Sequence, residues 1–255
     1  MLLALAVRDM LALRDFVTVE AGIARGSREE LTAARARPSG VSSGLRSWYR
    51  PTVTTMRATH PPAIDADIPT PRHYLVVDLE ATTSAAGSLP PEEMETIEIG
   101  AVIVDGATLA PLGEFQSFVR PVRHPKLLPF CTQLTSITQS MVDDAPSFPE
   151  AFEALQTAVR GLHPLVFGSW GRYDHEQLRR DCALHGIRYQ LGAAHLNLKT
   201  AFSAKQGLKR QLGMTRALAR CGLDLHGAHH RGIDDARNIA RMLPWIVGDR
   251  RLDAK

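Results

Sequence analysis

Apolar residues alternate with polar ones, or form short unbroken runs, in three stretches of the chain. These stretches are residues 74–77, 96–104 and 115–119. Alternation with a period of two is typical of half-buried β-strands, and short apolar runs are typical of fully buried ones. The links between the three stretches are hairpin-like, so we predict three neighbouring strands that pair antiparallel.

The pattern changes in the second half of the chain, where apolar residues recur with a helical period. The predicted helices cover residues 148–160, 173–185, 207–220 and 234–247. Two short apolar segments, residues 164–168 and 195–198, are predicted strands between these helices. Three strands followed by alternating strands and helices indicate an α/β protein, with a mixed sheet flanked by helices.

The first seventy residues have a different composition from the rest. Residues 1–37 fit one or two helices, and residues 38–71 are rich in Pro, Ser, Thr and Gly, as linkers are. We therefore predict an N-terminal extension over residues 1–70 and one folded domain over residues 71–250.

Composition narrows the class of protein. The chain has 255 residues, of which 44% are hydrophobic, so it can build a substantial core. A formal charge of +3 permits a polyanionic partner without indicating one. Three cysteines without a CxxC pair argue against a disulfide framework and a thiolate zinc site. No apolar run is long enough to span a membrane, and we expect a cytoplasmic protein.

Acidic residues stand at the ends of the predicted strands and the starts of the helices. Asp78 and Glu80 are two apart at the end of the first strand, which places both carboxylates on one face. Asp174 follows a later strand, and Asp234 and Asp235 begin the last helix, where the helix dipole favours acids. Taken singly, each has a structural explanation, either exposure to solvent beyond a strand end or capping of a helix.

A histidine-rich loop precedes the last helix. His230 lies five residues before Asp235, and His229 lies five residues before Asp234, so spacing alone does not choose between the pairs. Either pair brings an imidazole beside a carboxylate at a helix start. A solvent-exposed loop and a transition-metal site are the alternatives that the histidines by themselves leave open.

The combination of these residues points to one chemistry. Several carboxylates with few nitrogen ligands select hard cations such as Mg²⁺ or Mn²⁺. Two such ions hold the attacking water and the leaving oxygen of a phosphodiester in line, and a histidine takes the proton of the water. The set therefore predicts a metal-dependent phosphodiesterase.

Longer stretches around these residues resemble the DEDDh exonucleases of the ribonuclease-H-like superfamily. The first motif is Val77-Asp-Leu-Glu-Ala-Thr82, the second centres on Asp174, and the third is His230-Arg-Gly-Ile-Asp-Asp-Ala-Arg-Asn-Ile-Ala240. Within the family, residues 78–95, 130–139 and 232–240 resemble the Eri-type branch, the relatives of the 3′ histone-mRNA exonuclease. The resemblance extends from about residue 74 to residue 248.

This resemblance implies a ribonuclease-H-like fold with a five-stranded mixed central sheet flanked by helices. It also implies two divalent cations, Mg²⁺ or Mn²⁺, and the release of nucleoside 5′-monophosphates. The metal ligands carried over from the family are Asp78, Glu80, Asp174 and Asp235. The family register selects His230 as the general base. Candidate substrate-binding residues are Ala81, Thr82, Leu134 and Trp170; for Leu134 and Trp170, packing in the core is the alternative.

The Eri-type stretches favour single-stranded RNA 3′ ends as the nucleic-acid partner. A DNA-directed proofreading or repair exonuclease has the same metal centre and is the first alternative. A non-catalytic nucleic-acid-binding adaptor on the same fold is the second, and the complete set of acids disfavours it. The sequence therefore predicts a 3′→5′ exonuclease with a preference for RNA.

Overall fold

The computed structural model describes residues 71–85, 88–191 and 194–253. The expected N-terminal extension, with its helices in residues 1–37 and its linker up to residue 70, lies outside the described residues.

Within the described residues, five strands form one mixed sheet, in the order β3-β2-β1-β4-β5. The strands are β1 His73–Ala81, β2 Thr96–Asp105, β3 Pro111–Phe118, β4 Leu165–Ser169 and β5 His195–Asn197. The first three pair antiparallel, whereas β4 pairs parallel with β1 and β5 pairs parallel with β4. The predicted five-stranded mixed sheet and its antiparallel first half are therefore confirmed.

Helices cover both faces of the sheet. They are α1 Pro129–Thr135, α2 Gln139–Asp143, α3 Phe148–Ala158, α4 Tyr173–Leu184, α5 Leu198–Lys205, α6 Met214–Arg220, α7 Gly232–Arg241 and α8 Leu243–Ile246. The sequence missed α1, α2 and α5. The helix predicted over residues 207–220 begins only at Met214, so the first half of that prediction was wrong.

The alternation along β1 separates two buried clusters. Tyr74 and Val76 point to the side covered by α5, α6, α7 and α8. Leu75, Val77 and Leu79 point to the opposite side, where they pack against α3 and α4. Since side chains two apart share a face, Asp78 and Glu80 continue the row of Tyr74 and Val76 and lie on the α7 side of the sheet.

Among the described residues, no helix is both long enough and apolar enough to cross a membrane.

Candidate active site

Asp78 and Glu80 lie within the last four residues of β1 rather than beyond the end of the strand. Both residues still pair with β2, Asp78 opposite Gly100 and Glu80 opposite Glu98. Glu80 is buried and Asp78 is partly exposed. Two carboxylates on one face of a buried strand are costly unless a cation or a hydrogen-bond donor meets them, so this end of the sheet is built for a charged ligand.

The first turn of α7 lies directly against the same end of the sheet. A Cβ on Gly100 would collide with the carbonyl carbon of Gly232 and the amide nitrogen of Ile233, so only glycine allows the backbones to approach this closely. This contact carries Asp235, which is buried in the first turn of α7, to the acidic pair. Carboxylate oxygens of Asp78, Glu80 and Asp235 all lie within 4.8 Å of one another.

Asp174 reaches the same place from the other neighbour of β1. It lies in the first turn of α4, which follows the end of β4, and β4 runs parallel to β1. Its Oδ1 accepts a hydrogen bond from the main-chain N–H of Leu79 at 3.0 Å. Because Leu79 stands between Asp78 and Glu80, the fourth predicted acid borders both. Asp174 also lies in the first turn of a helix, as the purely structural explanation of this residue predicted.

Burial raises the pKa values of these acids, and for Asp78 and Glu80 the neighbouring acids raise them further. Burial is the largest cause for Asp78, whose pKa stands well above its ordinary value, and Asp174 and Glu80 raise it further. Burial, then Asp235, raises the pKa of Glu80 to about 8. Burial raises the pKa of Asp174 to about 6 against the hydrogen bond from Leu79. Without a cation, several of these groups therefore hold protons that a bound cation would displace.

The two histidines before α7 relate to Asp235 in different ways. The His229 side chain meets the carboxylate, with Nδ1 2.9 Å from Oδ2. His230 instead donates its main-chain N–H to the same oxygen at 3.0 Å, and its backbone is left-handed with φ +65°. The two rings stack, with centroids 3.9 Å apart. The structure therefore brings both histidines to the acids, which spacing along the sequence left undecided.

Glu98 is a site residue that the sequence did not single out. Its carboxylate is fully buried beside Glu80 and accepts hydrogen bonds from Arg231 Nε and from the Gly232 N–H, both at 3.0 Å. Gln116 on β3 donates a further hydrogen bond at 2.7 Å. Glu98 thus ties the segment directly after the two histidines to the sheet. The only sequence signal was an acid between two isoleucines in a buried strand.

Residues 75–243 match the exonuclease family model, RNase_T. The chain belongs to the exonuclease family. This exonuclease is 34% identical over 183 residues to ERI1 exoribonuclease 3 of Homo sapiens, with 69% of this chain and 53% of that relative covered. It is 32% identical over 188 residues to 3′-5′ exoribonuclease 1 of Homo sapiens, at the same coverages. The chain thus spans about half the length of the curated relatives it matches.

A solved structure supports the same placement. The nuclease domain of 3′hExo, a DEDDh family member bound to rAMP, is 30% identical and superposes with a TM-score of 0.64. The superposition covers 72% of this exonuclease and 98% of that domain. The ribonuclease-H-like fold and the family expected from the motifs are therefore confirmed.

Membership of the exonuclease family implies dependence on a divalent metal. The donor set of this exonuclease fits such a cation on two grounds. Three carboxylates offer oxygen atoms within 4.8 Å of one another, and oxygen is the ligand that Mg²⁺ and Mn²⁺ prefer. Their raised pKa values also show that the protein alone does not compensate their charge.

Two of the four candidate substrate-binding residues lie next to the acids. Ala81 is the last residue of β1, and Thr82 follows it. Two polar groups of Thr82 are already engaged, because its N–H donates to the Glu95 carbonyl at 2.8 Å and its Oγ1 accepts from the Glu95 N–H at 2.9 Å. These two hydrogen bonds fix Thr82 beside the acids.

The other two candidates lie on different elements. Leu134 is partly exposed on α1. Trp170 directly follows β4, is half-buried against the α5–α8 cluster, and donates its indole N–H to the Leu212 carbonyl at 3.2 Å. Packing against this cluster thus accounts for the buried part of the Trp170 side chain. A substrate would contact only the exposed part.

We expect Glu98→Gln to lower the free energy of unfolding of the exonuclease by roughly 3 kcal/mol, because it removes one partner of a buried ion pair and leaves the other uncompensated. Glu114→Gln is the matched control. Glu114 also joins a strand to an arginine of α7, Arg237, but these side chains are 43% and 44% exposed. Such exposed pairs contribute at most about 1 kcal/mol. Equal losses in urea unfolding would contradict the role assigned to Glu98.

Proposed function

We propose that this protein is a 3′→5′ exonuclease that hydrolyses single-stranded nucleic acid from its 3′ end and releases nucleoside 5′-monophosphates. The observation that carries the proposal is the convergence of Asp78, Glu80 and Asp235 within 4.8 Å, in a chain of the exonuclease family. RNA is the favoured substrate, because the two relatives compared above are exoribonucleases. The free thiols of the three cysteines are compatible with action in the cytoplasm.

Asp78, Glu80, Asp174 and Asp235 would hold two divalent cations, Mg²⁺ or Mn²⁺. When bound, such a pair polarises the phosphodiester and supports the attacking and leaving oxygens. The protein fixes two of these carboxylates in advance. Asp174 is oriented by the Leu79 N–H, and Asp235 is oriented by the His230 N–H. Preset ligands reduce the reorganisation that the reaction would otherwise require.

His230 would accept the proton of the attacking water on an imidazole nitrogen. Burial, and then the neighbouring His229, hold the pKa of His230 below its ordinary value, so the ring is neutral at pH 7 and able to accept a proton. Its main-chain hydrogen bond to Asp235 keeps this base attached to a metal ligand. His229, whose side chain meets Asp235, would orient that carboxylate.

The terminal nucleotide would lie beside the end of β1. Ala81 and Thr82 would border its sugar, and Leu134 and the free surface of Trp170 would pack against its base, because aromatic and apolar side chains bind bases without regard to sequence.

The test is a degradation ladder on matched single-stranded RNA and DNA, labelled at the 5′ or the 3′ end, with Mg²⁺, Mn²⁺ or EDTA. We expect metal-dependent shortening from the 3′ end, faster on RNA, and no shortening in EDTA. Asp78→Asn protein, prepared in parallel, controls for contaminating nucleases. A faster ladder on DNA would replace the RNA preference with a DNA-directed function. No shortening of either substrate with either metal would favour the adaptor.

A further inference from the structure

A cleft of about 380 Å³ opens beside the chain that leaves β1, and its lining includes Thr82, two residues after Glu80. We call it the basic cleft. Its lining includes Thr82, Thr83, Arg123, His124, Lys126 and Leu128. Three of these side chains are basic, and they come from one segment, residues 122–128, which connects β3 to α1.

Two side chains hold the backbone of this segment in place. The carboxylate of Glu95, which is only 3% exposed, accepts hydrogen bonds from three consecutive main-chain N–H groups, those of residues 122, 123 and 124, at 2.7–2.9 Å. Gln139 accepts from the Leu127 N–H and donates to the Pro125 carbonyl, both at 2.8 Å. A connection whose backbone is already fixed at five groups needs less ordering when a ligand binds, which lowers the entropic cost of binding.

The same glutamate joins the segment to the catalytic end of the sheet. Glu95 exchanges two hydrogen bonds with Thr82, which is two residues beyond Glu80. One wall of the basic cleft is thus the chain that leaves β1, and the opposite wall is the segment that Glu95 fixes. The lining of the cleft therefore begins two residues after Glu80 along the chain.

The charge of the cleft favours an anion. His124 Nε2 lies 3.2 Å from the Glu93 carboxylate. Arg123 donates to the main-chain carbonyl of Glu92 at 3.1 Å and, within the described residues, forms no ion pair; nor does Lys126. Both side chains are exposed. Leu128, 44% exposed, adds an apolar surface. Two cations beside an apolar surface match the phosphates and bases of a nucleic-acid strand.

We propose that the basic cleft binds the backbone phosphates of the nucleic-acid strand whose 3′ end occupies the catalytic acids, with Arg123 and Lys126 as the phosphate-binding residues. This rests on the proposed function and deepens it. The catalytic carboxylates repel a polyanion, and a fixed pair of cations next to them offsets that repulsion during association.

The test measures binding separately from cleavage. The double variant Arg123→Ala/Lys126→Ala is made in the Asp78→Asn background, and binding to a labelled single-stranded RNA 12-mer is followed by fluorescence anisotropy over a range of salt. We expect the Kd to rise about tenfold at low salt. We also expect the slope of log K against log salt to fall by about 1.4, since each phosphate contact on a single strand contributes about 0.7.

The matched control is Arg160→Ala/Arg188→Ala in the same background. These two arginines are also exposed. They lie in the segments that lead into β4 and β5, at the amino-terminal end of the parallel strands, whereas the acids lie at the carboxyl end. We expect the Kd and the salt slope of the control to match those of Asp78→Asn alone. Thermal melting checks that both double variants remain folded.

Equal Kd values and slopes for the cleft variant and the control would overturn the proposal. In the enzyme with Asp78 intact, Arg123→Ala/Lys126→Ala should raise KM and leave kcat unchanged; a change in kcat alone would also overturn it. The cleft proposal and the proposed exonuclease activity can be refuted independently. Salt-dependent binding that needs Arg123 and Lys126, in a protein that degrades nothing, would retain the cleft and reject the exonuclease activity. Degradation by the enzyme, with RNA binding that Arg123→Ala/Lys126→Ala leaves unchanged, would retain the exonuclease activity and reject the cleft.

Discussion

Asp78→Asn is expected to lower the rate of nucleotide release at least about 10³-fold, because a catalytic metal pair supplies several kcal/mol of transition-state stabilisation and each tenfold in rate corresponds to about 1.4 kcal/mol. Asp78 is one of the three acids whose carboxylate oxygens lie within 4.8 Å of one another. Its substitution therefore removes one of the proposed metal ligands. The measurement is kcat on a labelled RNA oligonucleotide at saturating Mg²⁺.

The same substitution has a signature in stability that does not depend on activity. In EDTA, burial and the neighbouring acids make ionisation of Asp78 unfavourable, so Asp78→Asn should melt at a higher temperature than the unsubstituted protein. With metal the order should reverse. A cation at one hundred times its Kd stabilises the folded state by about 2.7 kcal/mol, which for a protein of this size is a rise in Tm of about 5–10 °C, and Asp78→Asn should lose most of it.

The pH dependence of this effect has a definite sign. The folded-state pKa of Glu80, about 8, exceeds its ordinary value of 4.5. A raised carboxyl pKa contributes stability that is present below about pH 4.5 and is lost as the pH rises to about 8. The melting temperature in EDTA should therefore fall over this range relative to that in metal, so the metal-induced shift should grow.

Glu153→Gln is the control for charge alone, because Glu153 is an exposed acid on α3, a helix that covers the face of the sheet opposite α7. It should change neither kcat nor the metal-induced shift. A metal-induced shift that survives Asp78→Asn unchanged would remove Asp78 from the set of ligands.

Local rules account for where the four predicted acids stand, but the family motifs selected them as a set. The period of two along β1 places Asp78 and Glu80 on one face, and the preference for acids at helix starts accounts for the positions of Asp174 and Asp235. The structure adds the reason that they meet. The parallel pairing of β1 with β4 brings the start of α4 to Leu79, and the backbone contact between Gly100 and Gly232 brings α7 to β1. Neither contact has a local signal.

The burial of Glu98 could not be predicted from the pattern of its own strand. In β2 it occupies the polar position of an alternating pattern, which normally faces solvent. Only the register that pairs Glu98 with Glu80, together with α7 above them, makes that face an interior. The missed helix α5 has a comparable cause. It begins directly after β5, with Asn197 accepting the N–H of Thr200 at 3.0 Å as its cap, so no loop separates the strand pattern from the helix pattern.

The misplaced helix start at residue 207 has a backbone reason. Gly207 has a φ of +61°, a conformation that favours glycine and that commonly ends a helix. It follows α5 directly, so it closes that helix instead of opening the next one. A glycine at the boundary of a periodic segment is therefore ambiguous in sequence, because it fits the end of one helix as well as the start of another.

We propose His230 as the general base and His229 as the residue that orients Asp235, and loss of the base is the second large expected effect. His230→Asn should lower kcat by about 10²–10⁴-fold, the range that a positioned general base contributes. Asparagine tolerates the left-handed φ of +65° at this position, and the main-chain N–H that Asp235 accepts is retained. The substitution therefore removes the imidazole with little backbone strain, and the metal-induced rise in Tm should remain.

His229→Asn is the matched variant. It removes the side-chain contact with Asp235 at 2.9 Å, a hydrogen bond that orients the carboxylate, and leaves His230 in place. Loss of one hydrogen bond to a charged group, about 1.5 kcal/mol, predicts a fall in kcat of about tenfold. The ratio of the two effects decides the assignment, because ligand nitrogens of both rings lie within 4.8 Å of an Asp235 oxygen, whereas Asp235 binds the side chain of His229 and the main chain of His230. A larger loss in His229→Asn would make His229 the base and leave His230 as the residue whose backbone holds Asp235 in place.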